Sequence, residues 1–215
     1  MPTLSRWSQV AFFLLLVRPF LVLVLGVNLR HAERLPQSGP AILAANHNSH
    51  LDTLLLMSLF PLAQLHRVRP VAAADYFLKN RFIAWFALNI MHILPLARRP
   101  KPGVAPLAHI EAALNAGDIL ILFPEGSRGE PEKRSELKSG IAHLMEHAPT
   151  VSVVPIYFHG LGKALPKGDW LPIPFFVDGF VGEALTWQGT RGATMRALEV
   201  RFAELEQQGG RGAWE

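Results

Sequence analysis

Pro40-Ala41-Ile42-Leu43-Ala44-Ala45 leads without a break into Asn46-His47-Asn48-Ser49-His50-Leu51-Asp52. A second stretch repeats the plan, with Asp118-Ile119-Leu120-Ile121-Leu122 running into Phe123-Pro124-Glu125-Gly126-Ser127-Arg128-Gly129. Each begins as an apolar run of the length of a buried strand and ends in a polar loop. In open α/β sheets ligands bind outside the carboxyl ends of the strands, so two such loops can converge on one crevice. The first offers a potential general base with a carboxylate five residues on. The second offers a carboxylate and a guanidinium suited to a phosphorylated ligand.

Outward from these two runs the pattern alternates. Val71 to Ala74 and Ile93 to Leu96 read as short strands, and Phe82 to Met91 reads as an apolar helix. Pro106 to Ala116 is amphipathic and closed by Gly117. Leu137 to Glu146 is the next helix, and Val151 to Phe158 and Phe175 to Val181 are further strands. Thr190 to Gln207 is a terminal helix with Met195, Leu198, Phe202 and Leu205 on one core-facing stripe. Such alternation predicts an α/β fold, a largely parallel sheet flanked by helices. The 215 residues suffice for one well-packed domain.

The N-terminal segment differs. Val10 to Val27 is apolar except for Arg18-Pro19. A straight helix of this length reaches about 27 Å, just short of the ~30 Å hydrocarbon core of a bilayer. Pro19 interrupts helical hydrogen bonding and disfavours the helical conformation at Arg18. The expectation is therefore two short membrane-associated helices dipping into one leaflet, with Arg18 snorkelling to the headgroups. Composition agrees with work at a membrane face: half the residues are hydrophobic and the formal charge is +4, with a pI near 9.8 and a mean hydropathy of +0.22. That balance favours an anionic partner. Without zinc-finger spacing or an RNP-like aromatic motif, lipid fits it better than nucleic acid.

Bland readings stand beside the chemical ones. Ser49-x-x-Asp52 matches a helix capping box, which accounts for Asp52 but leaves His47 unexplained. Pro124 and Gly126 fit ordinary turn chemistry, and Glu125 with Arg128 a surface ion pair worth about 0 to 1 kcal/mol. His47 and His50 lack the Glu of His-Glu-x-x-His and a third ligand placed by spacing, so no metal site is expected. Gly126-Ser127-Arg128-Gly129 is not a nucleophile elbow, and no phosphate-binding P-loop pattern occurs. The absence of cysteine excludes a thiol acyl-enzyme and a disulfide framework.

Taken together, the motifs resemble those of the glycerolipid acyltransferase family, which includes the lysophosphatidic acid acyltransferases. The family's His, four residues, then Asp corresponds to His47 and Asp52; its Phe-Pro-Glu-Gly, hydroxyl residue and Arg to Phe123 through Arg128; its Val-Pro-Ile block to Val154-Pro155-Ile156. A fourth block is His92-Ile93-Leu94-Pro95-Leu96-Ala97-Arg98, with His92 where the family has Gly, so that the backbone freedom of Gly is expected to be missing. The resemblance runs from about Asn28 to about Leu185. It implies an O-acyltransferase with His47 and Asp52 as the catalytic pair and Arg98, Glu125, Gly126 and Arg128 binding the acceptor.

The activity so implied moves an acyl group from acyl-CoA or acyl carrier protein, as co-substrate, to the free hydroxyl of a lysophospholipid. The acceptor expected is 1-acyl-glycerol-3-phosphate, giving phosphatidic acid. No metal or resident cofactor is implied. Residues 1–27 become the membrane-associated segment, 28–208 the acyltransferase domain and 209–215 a mobile tail, at the cell membrane with the active site facing the cytoplasm. Removing residues 1–27 is expected to release the chain from the phospholipid surface with the catalytic constellation intact. Other readings are an acyltransferase for another lysolipid such as lyso-ornithine lipid, a non-catalytic lipid-binding protein, and an esterase or thioesterase using water.

Overall fold

Side chains alternate across a strand, and the central run Ala41–Ala45 fills both sides of its sheet. Ala41, Leu43 and Ala45 join one apolar cluster, and Ile42 and Ala44 join another. Helices must therefore cover both faces. The computed structural model describes residues 3–77, 80–97, 107–129, 134–165 and 171–210. Its elements are α1 (Thr3–Phe12), a π-helical turn (Phe13–Val17), α2 (Arg18–Val24), β1 (Leu25–Arg30), β2 (Ala41–Ala45), α3 (Leu51–Ser58), β3 (Val68–Ala73), α4 (Ala74–Phe77), α5 (Arg81–Asn89) and β4 (Leu94–Leu96). They continue as α6 (Ala108–Asn115), β5 (Ile119–Leu122), α7 (Gly140–His147), β6 (Ser152–His159), α8 (Leu161–Ala164), β7 (Phe175–Val181) and α9 (Arg191–Gly210).

The strands form one sheet in the order β1-β7-β6-β2-β5-β3-β4. From β6 to β4 every pairing is parallel, while β7 runs antiparallel to β6 and carries β1 parallel to itself. The largely parallel α/β sheet is as expected. On one face lie Phe13, Val17 and Leu21 of the N-terminal helix with Leu55, Leu56 and Met57 of α3. On the other lie Ile110 and Leu114 of α6, Ile141, Leu144 and Met145 of α7, and Leu198 and Phe202 of α9. The terminal stripe is core, with Leu205 buried and Met195 packed against its edge.

Local signals place the boundaries. The Asn80 side chain accepts a hydrogen bond from Phe82 N at 2.8 Å and starts α5. Gly117, at φ +82°, closes α6 in the left-handed conformation that glycine reaches without steric cost. At the N-terminus the expectations fail in three ways. Leu4 to Val24 is one continuous 21-residue helix rather than two short ones, long and apolar enough by length and composition to cross a membrane. The π-helical turn accommodates Pro19, whose missing N–H falls in the first turn of α2. The apolar run then ends in β1, because the backbone of Leu25 to Arg30 pairs with Phe175 to Phe180.

Arg18 does not reach outward. Its Nη2 donates to Phe60 O at 2.7 Å and Ser58 O at 3.4 Å, satisfying carbonyls at the end of α3. At the other terminus α9 runs to Gly210, past the expected end at Gln207, and the expected mobile tail otherwise falls on 211–215, outside the described residues.

Candidate active site

His47 follows the end of β2, and Asp52 lies in the first turn of α3. Asn46 fixes the strand end: its amide donates to Phe158 O at 2.9 Å and accepts from Phe158 N at 2.8 Å, clamping β2 to β6. The loop then turns so that His47 Nδ1 lies 2.9 Å from Asp52 Oδ2. The same oxygen accepts the backbone N–H groups of Asn48 at 2.8 Å and Ser49 at 2.9 Å. A carboxylate can only accept, so the neutral imidazole donates through Nδ1 and leaves Nε2 as the basic nitrogen. Capping and catalytic readings of Asp52 thus describe one atom, which organises the loop and orients the ring together.

The second loop supports the first from the end of β5. The Phe123 ring stacks on the His47 imidazole with centroids 4.0 Å apart. Glu125 is buried, accepting His47 N through Oε1 and Ser135 N through Oε2, both at 3.0 Å. His47 O in turn accepts from Gly129 N at 3.0 Å. Burial pushes the Glu125 carboxyl above its usual range against the pull of those backbone donors. Gly126 sits at φ +75°, the left-handed conformation that glycine reaches without steric cost, and the end of the Lys138 side chain lies against it.

A cavity of about 530 Å³ opens beside these loops. His47, His50, Gly126, Ser127, Arg128 and Lys138 line its polar side, and Val71, Phe77, Ile93, Leu96, Ile110 and Leu144 its apolar side. Burial, then the charge of Arg128, holds the His50 imidazole below its usual range. A site with one bare imidazole nitrogen, a guanidinium and an extended apolar wall suits an amphiphile with an anionic head and a nucleophilic hydroxyl.

Of the residues expected at the site, His47, Gly126 and Arg128 line this cavity, and Asp52 touches it through His47. The Glu125 carboxylate faces two backbone N–H groups and is absent from the lining. Arg98 lies outside the described residues. His92 adopts φ +51°, the left-handed conformation glycine would take, and Ser5 Oγ lies 2.9 Å from its Nε2. The freedom of glycine is missing as expected, yet His92 still takes a left-handed backbone conformation. Sequence reasoning passed over the roles of Asn46 and Phe123, and it read Lys138 with the solvated or headgroup-facing cations although it lines the cavity. Asn46 directly precedes the His, but the need for a clamp appears only once β6 is its neighbour.

The profile of a family described as Acyltransferase matches residues 26–159. The chain is 32% identical over 145 residues to a chloroplastic 1-acyl-sn-glycerol-3-phosphate acyltransferase of Arabidopsis thaliana, covering 66% of this chain and 38% of that protein. It is 26% identical over 200 residues to a 1-acyl-sn-glycerol-3-phosphate acyltransferase of Pseudomonas aeruginosa, covering 92% and 72%. This chain thus spans under half the length of the plant relative and nearly three quarters of the bacterial one. In fold it is similar to the crystal structure of the 1-acyl-sn-glycerophosphate acyltransferase of Thermotoga maritima, with a TM-score of 0.72 and 21% identity over 94% of this chain and 79% of that one.

Proposed function

Because the chain belongs to the acyltransferase family, we propose that it transfers an acyl group from a thioester donor, acyl-CoA or acyl carrier protein, to the free hydroxyl of 1-acyl-glycerol-3-phosphate. The observation that carries this reading is the 2.9 Å contact of His47 Nδ1 with Asp52 Oδ2 beside a cavity shared with Arg128. Nε2 removes the acceptor's hydroxyl proton while the alkoxide oxygen forms its bond to the thioester carbonyl carbon. Asp52 holds the tautomer and balances the imidazolium. Collapse of the tetrahedral intermediate breaks the C–S bond, and the thiolate leaves with the proton His47 had taken. Arg128 grips the acceptor phosphate with two parallel N–H donors. The names of the relatives support the phosphorylated acceptor.

The N-terminal helix supports work at the cell membrane. Its residues Gln9, Phe13, Val17 and Leu21 are buried, while Leu4, Trp7, Leu15, Leu16, Val22 and Leu23 are exposed. A helix packed along the α/β domain through positions from one end to the other lies flat in a leaflet instead of spanning it. A thioester donor supplied from the cytoplasm is the reason for assigning the active site to that face.

The test is incubation of the purified protein with a panel of lysolipids and both donors, with product identification by mass spectrometry. Phosphatidic acid from the phosphorylated acceptor is expected. Preferential acylation of lyso-ornithine lipid would move the acceptor assignment. Release of free fatty acid alone would replace transfer by hydrolysis, and lipid binding with no product would remove catalysis.

A further inference from the structure

Helix α5 is the most exposed apolar element of the sheet domain. Among its nine residues only Ala87 is buried. Phe82 is 86% exposed and Trp85 59%, and Ile83, Phe86 and Leu88 also face outward. A contiguous surface of this kind marks an interaction site. It adjoins the N-terminal helix, since the Phe12 and Phe86 rings meet edge to face at 5.2 Å and Ser5 Oγ donates to Asn89 O at 2.6 Å.

Charge identifies the occupant. The chain has 17 acidic residues, yet none falls in residues 1–32 or 76–110. The same two segments carry Arg6, Arg18 and Arg30, and Lys79, Arg81, Arg98, Arg99 and Lys101. Arg6 and Arg81, exposed on the two helices, set positive charge beside this apolar, Trp-bearing surface, and with no acidic residue in either segment it complements an anionic phospholipid headgroup layer. A second copy of this chain would instead bring like charges together. Position agrees as well: Phe77 just before α5, and Ile93 and Leu96 just after it, line the cavity. A bilayer seated on α5 therefore stands at the cavity wall.

We propose that α5 is a second bilayer-inserted element, which with the N-terminal helix seats the cavity against an anionic phospholipid leaflet. This rests on the reading of the N-terminal helix as leaflet-embedded. The chain contains no cysteine, so single cysteines introduced as Leu4→Cys, Phe82→Cys and Val200→Cys can carry an environment-sensitive fluorophore. The full chain is mixed with vesicles of neutral and anionic phospholipid containing a lipid with a nitroxide on its acyl chain. Labels at 4 and 82 should shift to the blue and be quenched, and the label at 200, on α9, should not. A label at 82 that behaves like the one at 200 while 4 is quenched overturns the role of α5 and leaves that of the N-terminal helix. Silence at both positions overturns both. Shielding at 82 before vesicles are added indicates self-association and also overturns the proposal. Phe82→Asp with Trp85→Asp should weaken vesicle partitioning roughly tenfold or more, with activity on a soluble short-chain acceptor unchanged. Undiminished partitioning overturns the role of α5.

Discussion

At the scale of the residue, Asp52 carries two duties on one oxygen. Oδ2 accepts three N–H groups, and Oδ1 is buried with no hydrogen-bond partner among the described residues. His47→Ala should lower turnover about 10² to 10⁴-fold with little loss of stability, measured by steady-state kinetics and thermal unfolding. Asp52→Asn should lose comparable activity, since an amide cannot balance an imidazolium. It should also lose about 1 to 3 kcal/mol of stability, because an NH₂ placed on either side meets donors or a buried gap. Normal turnover by the Asn variant would leave Asp52 a cap alone. Arg128→Lys should raise KM for a phosphorylated acceptor by the equivalent of about 1.5 to 3 kcal/mol with donor KM little changed; equal loss on an acceptor without phosphate would make the side chain structural. Glu125 gives a pH signature. Its folded-state carboxyl is raised above 4.5 by burial, so the protonated form favours folding. That contribution is fully present below the unfolded value and is lost as pH rises through the folded one. Glu125→Gln should flatten this part of the stability profile, read in urea titrations as pH rises from the ordinary carboxylate range. It should also slow turnover, because the amide NH₂ that replaces one carboxylate oxygen would face the N–H of His47 or of Ser135 donor to donor.

At the scale of the element, the second loop holds the His47 backbone, through Glu125 Oε1 on its N–H and Gly129 N on its carbonyl, while α3 holds the ring through Asp52. Arg18 shows how far that support extends, since it satisfies carbonyls at the end of the helix whose first turn holds Asp52. Arg18→Met keeps the apolar stem and removes the donors. It should cost about 1 to 3 kcal/mol, read as a lower midpoint in thermal unfolding, and an unchanged midpoint would return Arg18 to the headgroups. Sequence pattern made β2, β5 and β7 legible because each is a dense apolar run bounded by turn residues. It also made the His47 and Arg128 loops legible, because motif residues follow strands directly. The pattern was blind to β1, where Leu25 to Val27 continues a helical run and only pairing with β7, 150 residues away, selects the strand. It was equally blind to the partners of Arg18 and to the conformation of His92, which are settled by neighbours distant in the chain. His92 takes a left-handed conformation in spite of its Cβ.

At the scale of the whole molecule, the N-terminal helix belongs to the same apolar cluster as the strand that delivers His47. Phe13, Val17, Leu21 and Leu25 are each at most 4% exposed and share that cluster with Leu43, Leu56 and Ile156. At about 1.5 to 3 kcal/mol for each fully buried side chain, these four contribute roughly 6 to 12 kcal/mol as an upper estimate. That range is comparable with the ~5 to 15 kcal/mol total stability of a domain. Deleting residues 1–27 also removes half of β1 and the Arg18 donors. The truncated chain should therefore aggregate or unfold, not persist as a released but competent domain as the sequence suggested. Substituting the outward face instead separates the two roles. Leu15→Gln, Leu16→Gln and Leu23→Gln alter side chains that are 69%, 61% and 81% exposed. The triple variant should keep its unfolding midpoint and its activity on a soluble short-chain acceptor while losing vesicle sedimentation and activity on bilayer lysolipid. If residues 1–27 can be removed with the midpoint and soluble-acceptor activity preserved, the helix is an anchor and nothing more. If the triple variant still sediments with vesicles, the outward face is not what holds the protein to the bilayer.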